Sequence, residues 1–150
     1  MPDLSSFQLI NVAQQWHPGQ PVVLVSLHTS SNECRNVAPY YVQLAQRFPR
    51  IYFLHISFQS YDEILNTIAI IPELMRLNIA HDAHRVFKTF MFRRNGLAIP
   101  YMFIFNNRGT MLFEGHPLAK PVETHLHRLS GLTAMNNTIR PPSPLRRSLT

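Results

Sequence analysis

With 150 residues, 45% of them hydrophobic, the chain is long enough for one domain with its own core and too short for two ordinary ones. The formal charge of +6 gathers in Arg85, Lys88, Arg93 and Arg94 and in the tail from Arg140; with no aromatic-interleaved basic motif beside it, it argues against nucleic acid as partner. One cysteine excludes an internal disulfide and a cysteine-based metal cluster, the apolar runs are too short for a bilayer, and no leader pattern is read in "MPDLSSFQLINVAQQ", so the expected setting is cytoplasmic.

In chain order, Phe7, Ile10 and Ala13 stand at helical spacing, and a helix is expected within residues 1–19, ended by "HPGQP". "VVLVSL", residues 22–27, is a β-branched run that reads as a buried central strand. From Asn32, Val37, Tyr41, Leu44 and Phe48 recur at helical intervals, and "RIYFLHISF" then reads as a second strand, parallel to the first. "SYDEILNTIAII" is a capped helix, "PELMRLN" a short turn, and "HDAHRVFKTFMFRR" a helix presenting Ala83, Val86, Phe87, Phe90 and Met91 on one face. "PYMFIF" and "TMLFEG" flank the turn "NNRG" as a hairpin, and "KPVETHLHRLSGL" closes the fold with Val122, Leu126 and Leu129. Residues 132–150, polar and proline-rich, are expected to form a flexible basic tail outside a domain spanning 20–131.

Three ordered marks then carry a resemblance. "SNECRNVAP" is similar to Cys-x-x-Cys-Arg/Lys-x-x-x-Pro, with Ser31 at the first cysteine position, Cys34 at the second, Arg35 at the basic position and Pro39 at the proline. "GLAIP" resembles the segment that ends in a cis-proline, here Pro100 preceded by Ile99, and "YMFIFNNRGTMLFEGH" resembles the strand, turn and strand that follow it, ending at Gly115. Together they resemble the thioredoxin-like superfamily, in its thioredoxin, TlpA and redoxin branch. The resemblance implies a three-layer α/β/α sandwich whose central mixed sheet carries helices on both faces, with a helical insertion between Ser57 and Leu97 ahead of the cis-proline hairpin.

The departures from that pattern set the functional expectation. Ser31 cannot exchange thiols, Ser30 stands where the family has a tryptophan, and Cys34 takes the position of the second, more buried cysteine, without a first to work with. The leading reading is therefore a redox-degenerate, non-enzymatic domain that binds protein as an adapter or as a subunit of a larger assembly. Its groove would be lined by Ser30, Ser31, Cys34, Ile99 and Pro100, as the resemblance implies for extended polypeptide.

The alternative is a monothiol redox enzyme, a thiol-disulfide oxidoreductase or thiol peroxidase, with Cys34 as nucleophile, Ser31 beside it, and glutathione or a mixed-disulfide protein as partner. The peroxidase version resembles the Thr/Ser-x-x-Cys of peroxiredoxins, with Leu27 where that motif has a proline.

No cofactor and no metal are expected. Of eight histidines, His81 and His84 are spaced for one helix face and His125 and His127 are not; without further ligands, solvated side chains are the reading for all four. His28 and His116 follow strands that should end near the cysteine loop, and polar residues at strand ends are the favoured reading there. Ser143 and Ser148 beside arginines are candidate phosphorylation sites, against which an unmodified tail is favoured.

Overall fold

A computed structural model describes residues 1–94 and 96–138. The predicted tail from 139 onward, with Ser143 and Ser148, lies outside the described residues.

Six strands form one sheet in the spatial order β1-β4-β3-β2-β5-β6. At its centre are β2 (Val22–Leu27) and β3 (Tyr52–Ser57), paired in parallel from Val22↔Tyr52 to Leu27↔Ser57 and buried at every residue. A strand covered on both faces needs no polar alternation, which is why "VVLVSL" lacks one. The helix between them, α1 (Asn32–Arg47), supplies the crossover. Beyond β2 lie β5 (Tyr101–Phe105) and β6 (Met111–Gly115), both antiparallel to their neighbours. Their turn is held by Asn106, whose side-chain oxygen accepts from the backbone N–H groups of Arg108 (2.9 Å) and Thr110 (3.0 Å). Gly109 at φ 79° supplies the left-handed residue that such a turn needs.

Each face of the sheet has its own cover. Val23, Val25 and Leu27 pack with Val37, Tyr41 and Leu44 of α1, Ile64 and Ile68 of α2 (Tyr61–Ile68), and Val122, Leu126 and Leu129 of α4 (Pro121–Thr138). Leu24, Leu54, Ile56 and Phe103 pack on the other side with Phe87 and Met91 of α3 (Val86–Arg94) and with Phe7. Phe87 is the hub there, edge-on to Phe7 at 6.1 Å and to Phe103 at 5.8 Å. Truncating a buried aromatic of this kind to alanine costs about 3–5 kcal/mol.

The structure corrects the sequence reading in three places. The helix expected within residues 1–19 is absent: a short 3-10 turn (Leu4–Ser6) leads into the edge strand β1 (Gln8–Asn11), antiparallel to β4 (Ile79–His81). Pairing wins over helical spacing because the sheet edge takes up the backbone groups of 8–11 while Phe7 drops onto the α3 face. Asn11 fixes the register by donating through Nδ2 to the carbonyls of Met75 (2.8 Å) and Leu77 (2.7 Å).

The second correction lies in the insertion between Ser57 and Leu97, which is not wholly helical: β4 runs parallel to β3 within it, after the 3-10 turn Pro72–Arg76. Helix α3 consequently starts at Val86, where the Asp82 carboxylate accepts from the N–H groups of Phe87 (3.1 Å) and Lys88 (2.8 Å). Third, α4 continues to Thr138, into the segment 132–150 expected to be a flexible tail; a proline-free stretch up to Thr138 can extend an established helix without an apolar face of its own. Among the described residues no helix is long and apolar enough to cross a membrane.

Candidate functional site

The antiparallel pairing of β2 with β5, which sets Ser26 opposite Tyr101, brings two loops to one end of the sheet. One is His28–Ser31, leading into α1; the other ends at Ile99–Pro100, ahead of β5. Ser26 ties them by donating through Oγ to the Ala98 carbonyl at 2.9 Å. The Ile99–Pro100 peptide bond is cis; Ile99 is half-buried and Pro100 buried. Ser30, Ser31, Cys34, Ile99 and Pro100 therefore share one end of the fold.

Within that end, Ser31 is the N-cap of α1: its Oγ accepts from the Cys34 N–H at 3.3 Å, with Glu33 in the first turn favoured by the helix dipole. Cys34 is a free thiol, 0% exposed, within the α1 face of the core. Ser30 is exposed. Arg35 turns to the loop instead of the thiol, donating to Asn32 Oδ1 at 2.7 Å.

Three side chains that the sequence did not single out as a unit hold the loop from behind. Gln59 Oε1 accepts from the Thr29 N–H (2.8 Å), Thr29 Oγ1 (3.1 Å) and Ser57 Oγ (2.8 Å), all buried. These residues sit in ordinary strand-end segments thirty positions apart, so no local pattern announces them.

The histidines fall into separate roles. His28 folds back onto its own loop, accepting through Nδ1 from the Ser30 N–H at 3.2 Å. His116 accepts through Nδ1 from the Leu118 N–H (3.1 Å), which leaves Nε2 carrying the proton toward Glu33 Oε2 at 2.9 Å. The spacing of His81 and His84 does not put them on one helix face: His81 ends β4 and His84 lies in the turn before α3. His125 meets Phe113 (5.9 Å) and His127 meets Phe48 edge-on (4.9 Å), in two different places. Among the described residues there is no group of three or more His, Cys, Asp or Glu able to hold a metal ion.

Tyr41 and His55, read from the sequence only as members of a helix and a strand, are the notable buried polar pair. Their rings lie 4.6 Å apart, and the Tyr41 hydroxyl and both His55 ring nitrogens lack a hydrogen-bond partner among the described residues. Burial pushes the Tyr41 phenol up, with the anionic forms of Cys34 and Glu33 adding to it. Burial alone pulls His55 down to about 3, so its imidazole is neutral across the physiological range.

No protein-family model and no curated protein matches the chain. Solved structures do. A secreted disulfide oxidoreductase of Mycobacterium tuberculosis homologous to E. coli DsbE matches at 21% identity and TM-score 0.54, over 80% of this chain and 84% of that one. AhpC of M. tuberculosis matches at 17% and 0.60, over 82% and 74%. A thioredoxin-like protein from Aeropyrum pernix matches at 14% and 0.56, over 75% and 78%. The six-stranded mixed sheet with its helices and these likenesses make the fold of the chain thioredoxin-like.

Proposed function

We propose that the chain is a single-thiol redox protein in which Cys34 forms a mixed disulfide with glutathione or with a protein held in the groove between Ser30–Ser31 and Ile99–Pro100. The observation that carries this reading is the place of the sole thiol: the first turn of α1, behind the Ser31 cap, at the end of the sheet where Pro100 stands. The kind of protein found among the structural neighbours, disulfide oxidoreductases and an AhpC, supports it. In the step itself the Cys34 thiolate attacks one sulfur of a disulfide. A new Sγ–S bond forms as the S–S bond breaks, and the second half leaves as a thiolate that takes up a proton. Because Cys34 has no exposed surface, attack waits for the Ser30–Ser31 loop or the first turn of α1 to open. A cytoplasmic setting belongs to the same proposal, since one cysteine needs no oxidising compartment.

That burial favours a second reading, in which the groove binds extended polypeptide and Cys34 is core packing. One experiment separates them: the full chain, folded and unfolded, is incubated with glutathione disulfide and its mass followed. The redox reading expects one glutathione on Cys34 in the folded protein, faster than unfolding allows. Modification only on unfolding overturns it, and the adapter reading then expects Cys34→Ser to leave peptide binding unchanged.

A further inference from the structure

Helix α3 carries cations on a face where the fold supplies no anions. A groove of about 580 Å³ lies along it, with exposed Arg85 and Arg93 at its side and half-buried Val86 and Phe90 as its apolar part. Among the described residues no carboxylate lines this groove. The carboxylate at the start of the helix, Asp82, is buried and already accepts from the N–H groups of Phe87 and Lys88.

Other exposed arginines are answered within the chain. Arg47 pairs with Glu123 at 2.7 Å, and Arg94, at the far end of the groove, pairs with Glu114 at 2.6 Å. Arg85, Lys88 and Arg93 have no such partner among the described residues. Arg85 and Lys88, three positions apart at the start of one helix, are a like-charged pair that opposes the helix until an anion joins them. Arg85 also stands at φ 58°, a left-handed conformation that glycine or asparagine adopts at lower cost. An arginine there keeps a guanidinium at the groove.

The spacing of the two arginines selects the shape of the anion. Arg85 and Arg93 are separated by eight residues of helix, or about 12 Å along its axis. An extended peptide advances about 3.3 Å per residue and sends alternate side chains to one side. Two acidic residues four positions apart therefore stand about 13 Å apart, with the side chain midway between them facing the same way.

We propose that this groove binds an extended acidic segment of a partner protein, one carboxylate on Arg85, a second four residues away on Arg93, and an apolar side chain between them against Val86 and Phe90. The guanidinium groups match carboxylates in geometry as well as in charge. The site lies on the sheet face opposite the one that buries Cys34 and does not depend on thiol chemistry.

The test titrates the full chain into a fluorescein-labelled peptide containing Glu-Ser-Leu-Ser-Glu and follows anisotropy at low salt. Saturable binding is expected, with a peptide containing Glu-Glu-Leu-Ser-Ser, equal in charge and composition, bound several-fold more weakly. Arg85→Gln and Arg93→Gln should each weaken the first peptide about tenfold. Lys120→Gln, which removes the same charge from an exposed position ahead of α4, should leave it unchanged. Absence of saturable binding, equal affinity for the two peptides, or an equal loss with Lys120→Gln overturns the proposal, the last two because they report net charge alone. A single-stranded oligonucleotide that binds more tightly than the peptide and loses affinity on the same two arginine substitutions overturns it in favour of nucleic acid. If Arg85→Gln fails to fold, Arg93→Gln and the two-peptide comparison in the unaltered protein still decide.

Discussion

The two ends of α1 make opposite use of polar side chains. At its start, hydrogen-bonding groups are spent on one another: Ser31 Oγ on the Cys34 N–H, His28 Nδ1 on the Ser30 N–H, and Gln59 Oε1 on three donors. Two turns on, Tyr41 and His55 keep theirs unmatched among the described residues, in a sealed interior beside an open cleft. The start of the helix is where the sequence has a recognisable pattern, and its far half packs two side chains whose hydrogen-bonding capacity is unmatched among the described residues. Pattern and unspent chemistry therefore need not coincide, because a loop can keep a family's shape while its side chains satisfy one another.

Acid should break the comparison most strongly. An unfolded chain protonates His55 near the model value of 6.5, whereas the folded protein holds it neutral down to about 3. Between those values the unfolded state binds more protons, so stability falls as pH falls and is fully present only above about pH 6.5. At about pH 4.5 the loss from this one group is about 3 kcal/mol. Urea midpoints measured at neutral pH and in acid should converge for His55→Phe relative to the unaltered protein. Equal acid sensitivity in both would mean that His55 is not held neutral by burial.

Most of the fold was legible because the informative segments are self-contained. β2 and β3 are apolar runs that only a doubly covered strand tolerates, α1 repeats its apolar residues over sixteen positions, and Asn106 with Gly109 specifies its turn locally. What escaped was non-local. β1 and β4 are three or four residues long and exist because each offers the other an edge, and Gln59 matters because Thr29 lies beside it in space. Of the candidate site, Ser31, Cys34, Ile99 and Pro100 were found through their order along the chain. The burial of Cys34 and the spent hydroxyl of Ser31 become visible only with packing. His55 could not be singled out, since a histidine inside "IYFLHISF" looks the same with or without a cleft above it.

Next in size is the support behind the thiol loop. Gln59→Leu keeps the volume but strips the acceptor from three buried donors, and should cost about 3 kcal/mol by urea denaturation. If Gln59 is what keeps the loop closed over Cys34, the same variant should alkylate faster in the folded state; destabilisation without faster alkylation would assign the closure elsewhere. Ser31→Ala should cost about 1 kcal/mol by loss of the cap, and Ser31→Asp should recover most of it. A Ser31→Asp protein as unstable as Ser31→Ala would mean that the hydroxyl is not acting as a cap.

The smallest effect sharpens the contrast between spent and stabilising contacts. His116 Nε2 lies 2.9 Å from Glu33 Oε2, and their side chains are 43% and 59% exposed. Pairs this exposed are screened by water and pay the entropy of holding two side chains, so His116→Ala should change stability by no more than about 0.5 kcal/mol. Glu33→Gln should do the same, and the double variant should equal the sum of the two. Thermal unfolding in low and high salt checks this. A loss well above that figure, or a coupling that persists in high salt, would make the pair an anchor of the first turn of α1. The thiol end would then be held by charge as well as by the Ser31 cap and Gln59.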